Sequence, residues 1–235
     1  RFNWNSPILL SHHNSEIIYF GGNRLFKSFD RGDSWPVVSP DLTTADPAKL
    51  AGNVPFCTIT SMAESALDPN LLLVGTDDGL VQRSQDGGLS WTNLTGRFPG
   101  APAEWWVSRV ELSRHSRDVA YASFTGYRED DPRPMLFASE NRGENWVSIA
   151  GNLPRESINV VREDPRNPQV LWVGTDGGVY VTFDRGSLWH PLRQGLPTVA
   201  VHDLAVHPRD RELVIATHGR GIWVLEVAPL QELSD

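Results

Sequence analysis

Ser28-Phe29-Asp30-Arg31-Gly32-Asp33-Ser34-Trp35 is a phrase that this chain repeats. It returns as Ser84-Gln85-Asp86-Gly87-Gly88-Leu89-Ser90-Trp91, as Ser139-Glu140-Asn141-Arg142-Gly143-Glu144-Asn145-Trp146 and as Thr182-Phe183-Asp184-Arg185-Gly186-Ser187-Leu188-Trp189. The copies begin 56, 55 and 43 residues apart, close to the ~40–50-residue period of propeller blades. Every part of the phrase has a folding role. Asp30, Asp86, Asn141 and Asp184 carry acceptor oxygens that can take loop N–H groups, and Ser28, Ser84, Ser139 and Thr182 add hydroxyls. Gly32, Gly88, Gly143 and Gly186 supply a positive φ. Trp35, Trp91, Trp146 and Trp189 can lay a large ring over the turn. A sugar or metal site at the phrase is not needed to account for it.

Working outward, each phrase follows a β-rich run: Ile17–Gly22, Leu71–Thr76, Val119–Ser123 and Val170–Thr175, with a fifth run at Leu213–Thr217 that no phrase follows. A polar turn precedes each run: His12–Ser15, Asp68–Asn70, His115–Asp118, Asp164–Pro168 and His207–Asp210. Regular turn residues between short β-branched and aromatic runs predict antiparallel hairpins. The reading is an all-β propeller of about five four-stranded antiparallel blades: 1–50, 51–98, 99–153, 154–197 and 198–235. Together they form one domain, or the arc of a larger ring of about seven blades. Unit five has Leu225 where a fifth phrase would begin, which predicts no ordinary fourth strand there. An incomplete ring exposes strand edges and blade faces, so further blades are expected from upstream sequence or from another chain.

The chain has 235 residues, 40% hydrophobic and 21% charged, a globular balance with no apolar run of membrane-helix length. A net charge of −8 repels phosphate backbones and argues against nucleic acid as a partner. The single cysteine, Cys57, reads as a small strand residue and excludes an internal disulfide or a multi-cysteine metal site. The seven histidines are scattered, so no metal and no cofactor is expected. The opening Arg1-Phe2-Asn3-Trp4 carries no signal or lipidation motif, which places any export signal upstream or among removed residues.

The phrase resembles the Asp-box, or bacterial neuraminidase repeat, of sialidases, sortilin-type domains, xyloglucanases and photosystem assembly propellers. A broader likeness rests on Phe2–Ile8, Gly22–Phe26, Ser39–Thr43, Val160–Pro165, Gly75–Val81 and Ala216–Leu225. These segments resemble the later blades of large secreted bacterial sortilin-type or sialidase-like "glycosyl hydrolase" repeat proteins. The likeness implies an extracytoplasmic location, and it speaks to fold rather than to chemistry.

In a propeller the phrase turns and the polar turns share one end, and ligands usually meet the other. That upper face is predicted to present Asn23, Arg24, Asp77, Asp78, Asp176, His218, Arg220 and Arg128 of the long insertion 125–133. Arg97, Glu104, Trp105, Trp106 and Arg155 join them from the loops that enter each blade. Sialidase chemistry needs an arginine triad and a tyrosine–carboxylate pair, and Tyr19, Tyr121, Tyr127 and Tyr180 do not offer that arrangement. A carboxylate pair is open to Glu64, Glu111 and Glu163 on inner strands, or to Asp77 and Asp176 at the mouth. Two functions follow. The first is a non-catalytic module docking a protein subunit or a glycan in a larger assembly; the second is part of a xyloglucanase-like glycoside hydrolase.

Overall fold

The computed structural model describes residues 1–193 and 195–233. Five antiparallel sheets follow one another along the chain. The first holds β1 (Ile8–Leu10), β2 (Ile18–Gly21) and β3 (Leu25–Ser28), and the second β4 (Ile59–Ser65), β5 (Asp68–Thr76), β6 (Val81–Ser84) and β7 (Thr92–Asn93). The third holds β8 (Trp106–Leu112), β9 (Ala120–Gly126), β10 (Asp131–Ser139) and β11 (Val147–Ser148). β12 (Ile158–Glu163), β13 (Leu171–Thr175), β14 (Val179–Thr182) and β15 (His190–Leu192) form the fourth. β16 (Val201–His207), β17 (Glu212–Thr217) and β18 (Ile222–Glu226) form the fifth. The inner strands β4, β8, β12 and β16 pack in sequence around the axis, so the sheets are the blades of a propeller. The only helices among the described residues are four-residue turns, α1 (Pro47–Leu50) and α2 (Ala228–Gln231), and a 3-10 turn at Tyr127–Glu129.

Between blades the pleat sends alternate side chains to each neighbour. Leu73 of β5 and Val107, Val110 and Leu112 of β8 share one core between the second and third sheets. Tyr121, Val161 and Val173 share the next, and Trp172, Val201 and Leu204 the last. Each large apolar side chain buried in this way contributes about 1.5–3 kcal/mol. Gly75 and Gly174 sit where a Cβ would collide with Val107 and Val201 of the following blade, which is why small residues end those runs.

The repeated phrase folds as four equivalent hairpins. In the first, Gly32 N donates to Ser28 Oγ at 2.8 Å and Ser34 N donates to Asp30 Oδ1 at 2.9 Å. The other three repeat both bonds, with Asn141 Oδ1 accepting from Asn145 N at 2.8 Å in the third. The phrase glycines have φ between 83° and 105°. The residue before each glycine, at Arg31, Gly87, Arg142 and Arg185, is also left-handed. Its N–H reaches the start of the second strand of the same blade, beside the polar turn, at Glu16 O, Asn70 O, Asp118 O and Gln169 O. Both kinds of turn therefore share one end of the propeller.

Four local expectations change. The fourth strand of the first blade is reduced to a bridge between Phe26 and Val37, because Pro36 accepts from Lys27 N but has no N–H to return. Asp68-Pro69-Asn70 opens β5 instead of forming the turn, which tightens to Ala66–Leu67 with Leu67 N on Ser65 Oγ. The insertion 125–133 continues the β9–β10 hairpin on either side of its 3-10 turn. Cys57 lies ahead of β4, buried, at φ 55°.

The two ends of the arc differ from its middle. In the first blade Ile8 (67% exposed) and Leu10 (62%) stand on the side away from blade two, beside Phe20 and Phe26, on which Phe2 stacks. In the fifth, Ile222 (72%) and Val224 (59%) pair with Ala216 and Val214 on the side away from blade four. No strand pairs with the outer edge of β18 among the described residues, so the edge is open. Strands of the first and fifth blades do not pack on each other as neighbouring blades do.

Candidate functional site

The upper face is built by the turns between second and third strands and by the loops that enter each blade. Equivalent turn residues meet different fates there. Asp77 is fully buried, accepting from Thr58 N at 2.8 Å, Thr58 Oγ1 at 3.0 Å and Asn3 Nδ2 at 3.0 Å. Asp78 is also buried, taking Thr44 N at 2.8 Å and Thr44 Oγ1 at 2.6 Å. Burial pushes the Asp77 carboxyl up, with Asp78 adding to it, against the hydrogen bonds from Thr58. Both carboxylates fasten the loop after the first blade onto the second. They do not face a ligand, contrary to the sequence expectation, because residues 43–57 with α1 fold across that turn. Asp176, the counterpart of Asp77 in blade four, has no such cover; it is exposed and holds Asn159 Nδ2 at 2.9 Å.

The remaining predicted residues divide similarly. Arg24, His218 and Arg220 are exposed, and His218 lies against His202 with ring centroids 5.2 Å apart. Asn23 is half-buried and donates to Asp41 Oδ2 at 2.7 Å. Trp105 is buried in the core of blade three and unavailable to a ligand. Trp106 is partly exposed at the start of β8, and the Arg128 guanidinium sits 4.5 Å from its ring centre and 4.3 Å from that of Phe56. This stack fixes the tip of the insertion against the loop entering blade two. Lys49 of α1 bridges to Glu104 at 3.0 Å across the same seam. Arg155 and Arg133 both reach Asp131, at 3.7 and 2.7 Å. Arg97 turns instead to Glu144 of the blade-three hairpin, beside Arg83.

The inner-strand carboxylates are committed to structure. Glu64 accepts from Ser11 Oγ at 3.0 Å, His12 N at 2.7 Å and Tyr19 OH at 2.9 Å. Glu163 accepts from Ser113 Oγ at 2.8 Å, Arg114 N at 2.8 Å and Tyr121 OH at 3.1 Å. Glu111 is paired to Arg162 at 2.7 Å, and Arg162 and Arg109 share Asp203 at 3.0 and 2.8 Å. This chain of charges links blades three, four and five across the axis. Burial pulls the Arg109 guanidinium down to about 10, still protonated at neutral pH. A signal for the network was present in the sequence: charged residues alternate with apolar ones on strands that line an axis.

Two concavities accompany these features. One of about 300 Å³ on the upper side touches Phe2, Leu50, Asn53, Val54, Phe56 and Thr58. One of about 130 Å³ lies beside Glu111, Arg114, Arg162 and Glu163. The first went unread in the sequence, although Gly52-Asn53 followed by the apolar Val54-Pro55-Phe56 marks a loop with a sticky side. Among the described residues no cluster of three or more His, Cys, Asp or Glu is arranged to hold a metal ion. No described helix is long and apolar enough to cross a membrane.

No family model matches the chain. Over 182 residues, 69% of the chain, it is 25% identical to a xyloglucanase of Paenibacillus sp., of which the match covers 16%. In fold it resembles the GH74 xyloglucanase of Xanthomonas campestris, with a TM-score of 0.72 and 22% identity over 93% of the chain and 36% of that enzyme. The GH74 enzyme of Niastella koreensis gives 0.70 and 17% over 97% and 36%. The Cps50 (Swd1) propeller domain from Myceliophteria thermophila gives 0.68 and 16% over 100% and 69%. The chain thus spans 16% of that xyloglucanase and 36% of each of these GH74 enzymes, and its architecture is a β-propeller of the type found in GH74 enzymes.

Proposed function

We propose that this chain is a propeller module of a polysaccharide-cleaving glycoside hydrolase of the xyloglucanase kind. The observation that carries the reading is the likeness to a xyloglucanase along most of the chain, in sequence and in fold. In this reading the module is an Asp-box propeller arc, kin to the sialidase and sortilin-type repeats, and works outside the cytoplasm. Its upper face is the wall that meets the polysaccharide, and Asp176, Arg24, His218 and Arg220 are the residues available to it. Asp176 is the exposed carboxylate proposed to face substrate; Asp77 and Asp78 are excluded by burial. Further blades, from the same longer protein or from another chain, cover the bare faces of blades one and five.

The bare apolar faces also favour a second reading, a non-catalytic module that docks a protein subunit. Affinity electrophoresis of the chain in xyloglucan-containing gels separates the two. Retardation by xyloglucan supports the hydrolase reading, and unchanged migration supports docking. In the full-length protein, Asp176→Asn is expected to slow xyloglucan cleavage at least about tenfold without changing the melting temperature. An unchanged rate removes Asp176 from the reaction.

A further inference from the structure

We infer that the 300 Å³ cleft beside blade one is a subsite for one neutral pyranose ring, an assignment that rests on the polysaccharide reading above. Its size stands at the low end of the ~300–1,000 Å³ range of small-ligand sites. Two phenyl rings, Phe2 and Phe56, stand in its wall with Leu50 and Val54, offering apolar surface to the C–H faces of a sugar. The Phe56 ring is fixed before any ligand arrives. The Arg128 guanidinium lies 4.3 Å from its centre and the Lys49 ammonium 5.3 Å. Such preorganisation spares the ligand the cost of ordering its platform.

Polar groups complete the wall. Thr58 Oγ1 is already used, donating to Asp77 and accepting from Asn3. The Arg1 guanidinium is paired with Asp41 at 3.0 Å. The Asn53 side chain, exposed on the rim, is engaged in no hydrogen bond among the described residues and has both a donor and an acceptor to give a hydroxyl pair. With no carboxylate in the wall, the cleft can orient a sugar but cannot protonate a glycosidic oxygen. It is a holding subsite, away from bond cleavage.

The test is calorimetric titration of the chain with a xyloglucan heptasaccharide and, in parallel, with a cello-oligosaccharide. Val54→Trp fills the cleft from a half-exposed position and should weaken binding at least about tenfold, the scale of a lost sugar-ring contact. Asn53→Ala should weaken it about fivefold, the value of one hydrogen bond. Both variants should keep the parent melting temperature. Binding by the parent with undiminished affinity in Val54→Trp overturns this subsite and leaves the polysaccharide reading standing. Failure of the parent to bind either oligosaccharide overturns both.

Discussion

Two kinds of seam join the blades of this propeller. Between blades one and two, and again between three and four, a tyrosine on the second strand of one blade meets a buried glutamate on the inner strand of the next. Tyr19 meets Glu64, and Tyr121 meets Glu163. Ser11 and Ser113 add their hydroxyls, while His13 Nε2 and His115 Nε2 each meet a main-chain carbonyl of the next blade at 2.8 Å. Between blades two and three the same two register positions are Leu73 and Leu112, and at that level the seam is dry. Between four and five they are Trp172 and Val206. At these two positions one seam geometry therefore accepts either a saturated polar cluster or hydrocarbon. The polar seams recur 102 residues apart, from Tyr19 to Tyr121, so the arc repeats by pairs of blades as well as by single blades.

Mixing the two kinds should give the largest effect. Leu112→Glu places a carboxylate in the dry seam with no hydroxyl or N–H to meet it. We expect a loss of about 4 kcal/mol or more, read as a collapse of the urea midpoint. Glu64→Leu leaves the Tyr19 hydroxyl unpaired in the polar seam and should cost about 2–3 kcal/mol. The double variant Tyr19→Leu, Glu64→Leu converts that seam to the dry kind. Its cost should fall below the sum of the single substitutions by at least about 1 kcal/mol, and strict additivity would show that the latch is not a unit.

The hairpins offer a second contrast, between an end and the middle of the arc. Trp146 is 3% exposed, packed into the core between blades two and three with Nε1 donating to Gly143 O, whereas Trp35 is 38% exposed, edge-on to Phe20 on the uncovered face of blade one. Trp146→Ala should cost about 3–5 kcal/mol, and Trp35→Ala markedly less, by thermal unfolding of each variant. Equal losses would mean that the tryptophans act within their own turns and not across seams.

The smallest effect is a pH dependence. Hydrogen bonds from Ser34, Ser28 and the turn N–H groups hold the Asp30 carboxyl at about 2, and Ser90 and Ser84 do the same for Asp86. A pKa lowered by folding means that the unfolded chain binds protons first. The hairpins' contribution is thus complete above the ordinary carboxylate value near 3.8 and is lost as pH falls toward 2. Carbon-detected NMR titration should place both residues well below free aspartate. Asn141 occupies the same position in the third copy and cannot titrate, so that hairpin's shifts should stay flat through the range.

The blades were legible in the sequence because the phrase is local: the backbone N–H bonds that close its turn lie within seven residues or reach the polar end of the same blade. The upper face was less so. Asp77 and Asp176 occupy the same sequence context, Gly-Thr-Asp, and only the fold of residues 43–57 over one of them separates a fastener from an exposed acid. Glu64 and Glu163 read as candidate acids until their tyrosine partners, 45 and 42 residues away, came into contact with them. Long-range pairing of this kind leaves no mark in local spacing.

Chemical-shift mapping of the chain titrated with a xyloglucan oligosaccharide bears most directly on where this propeller meets its ligand. Perturbations are expected at Arg24, Asn53, Phe56, Asp176 and His218, with the four tryptophan hairpins silent. Perturbations centred on Trp35, Trp91, Trp146 and Trp189, or none at saturating sugar, would contradict a polysaccharide-facing upper side.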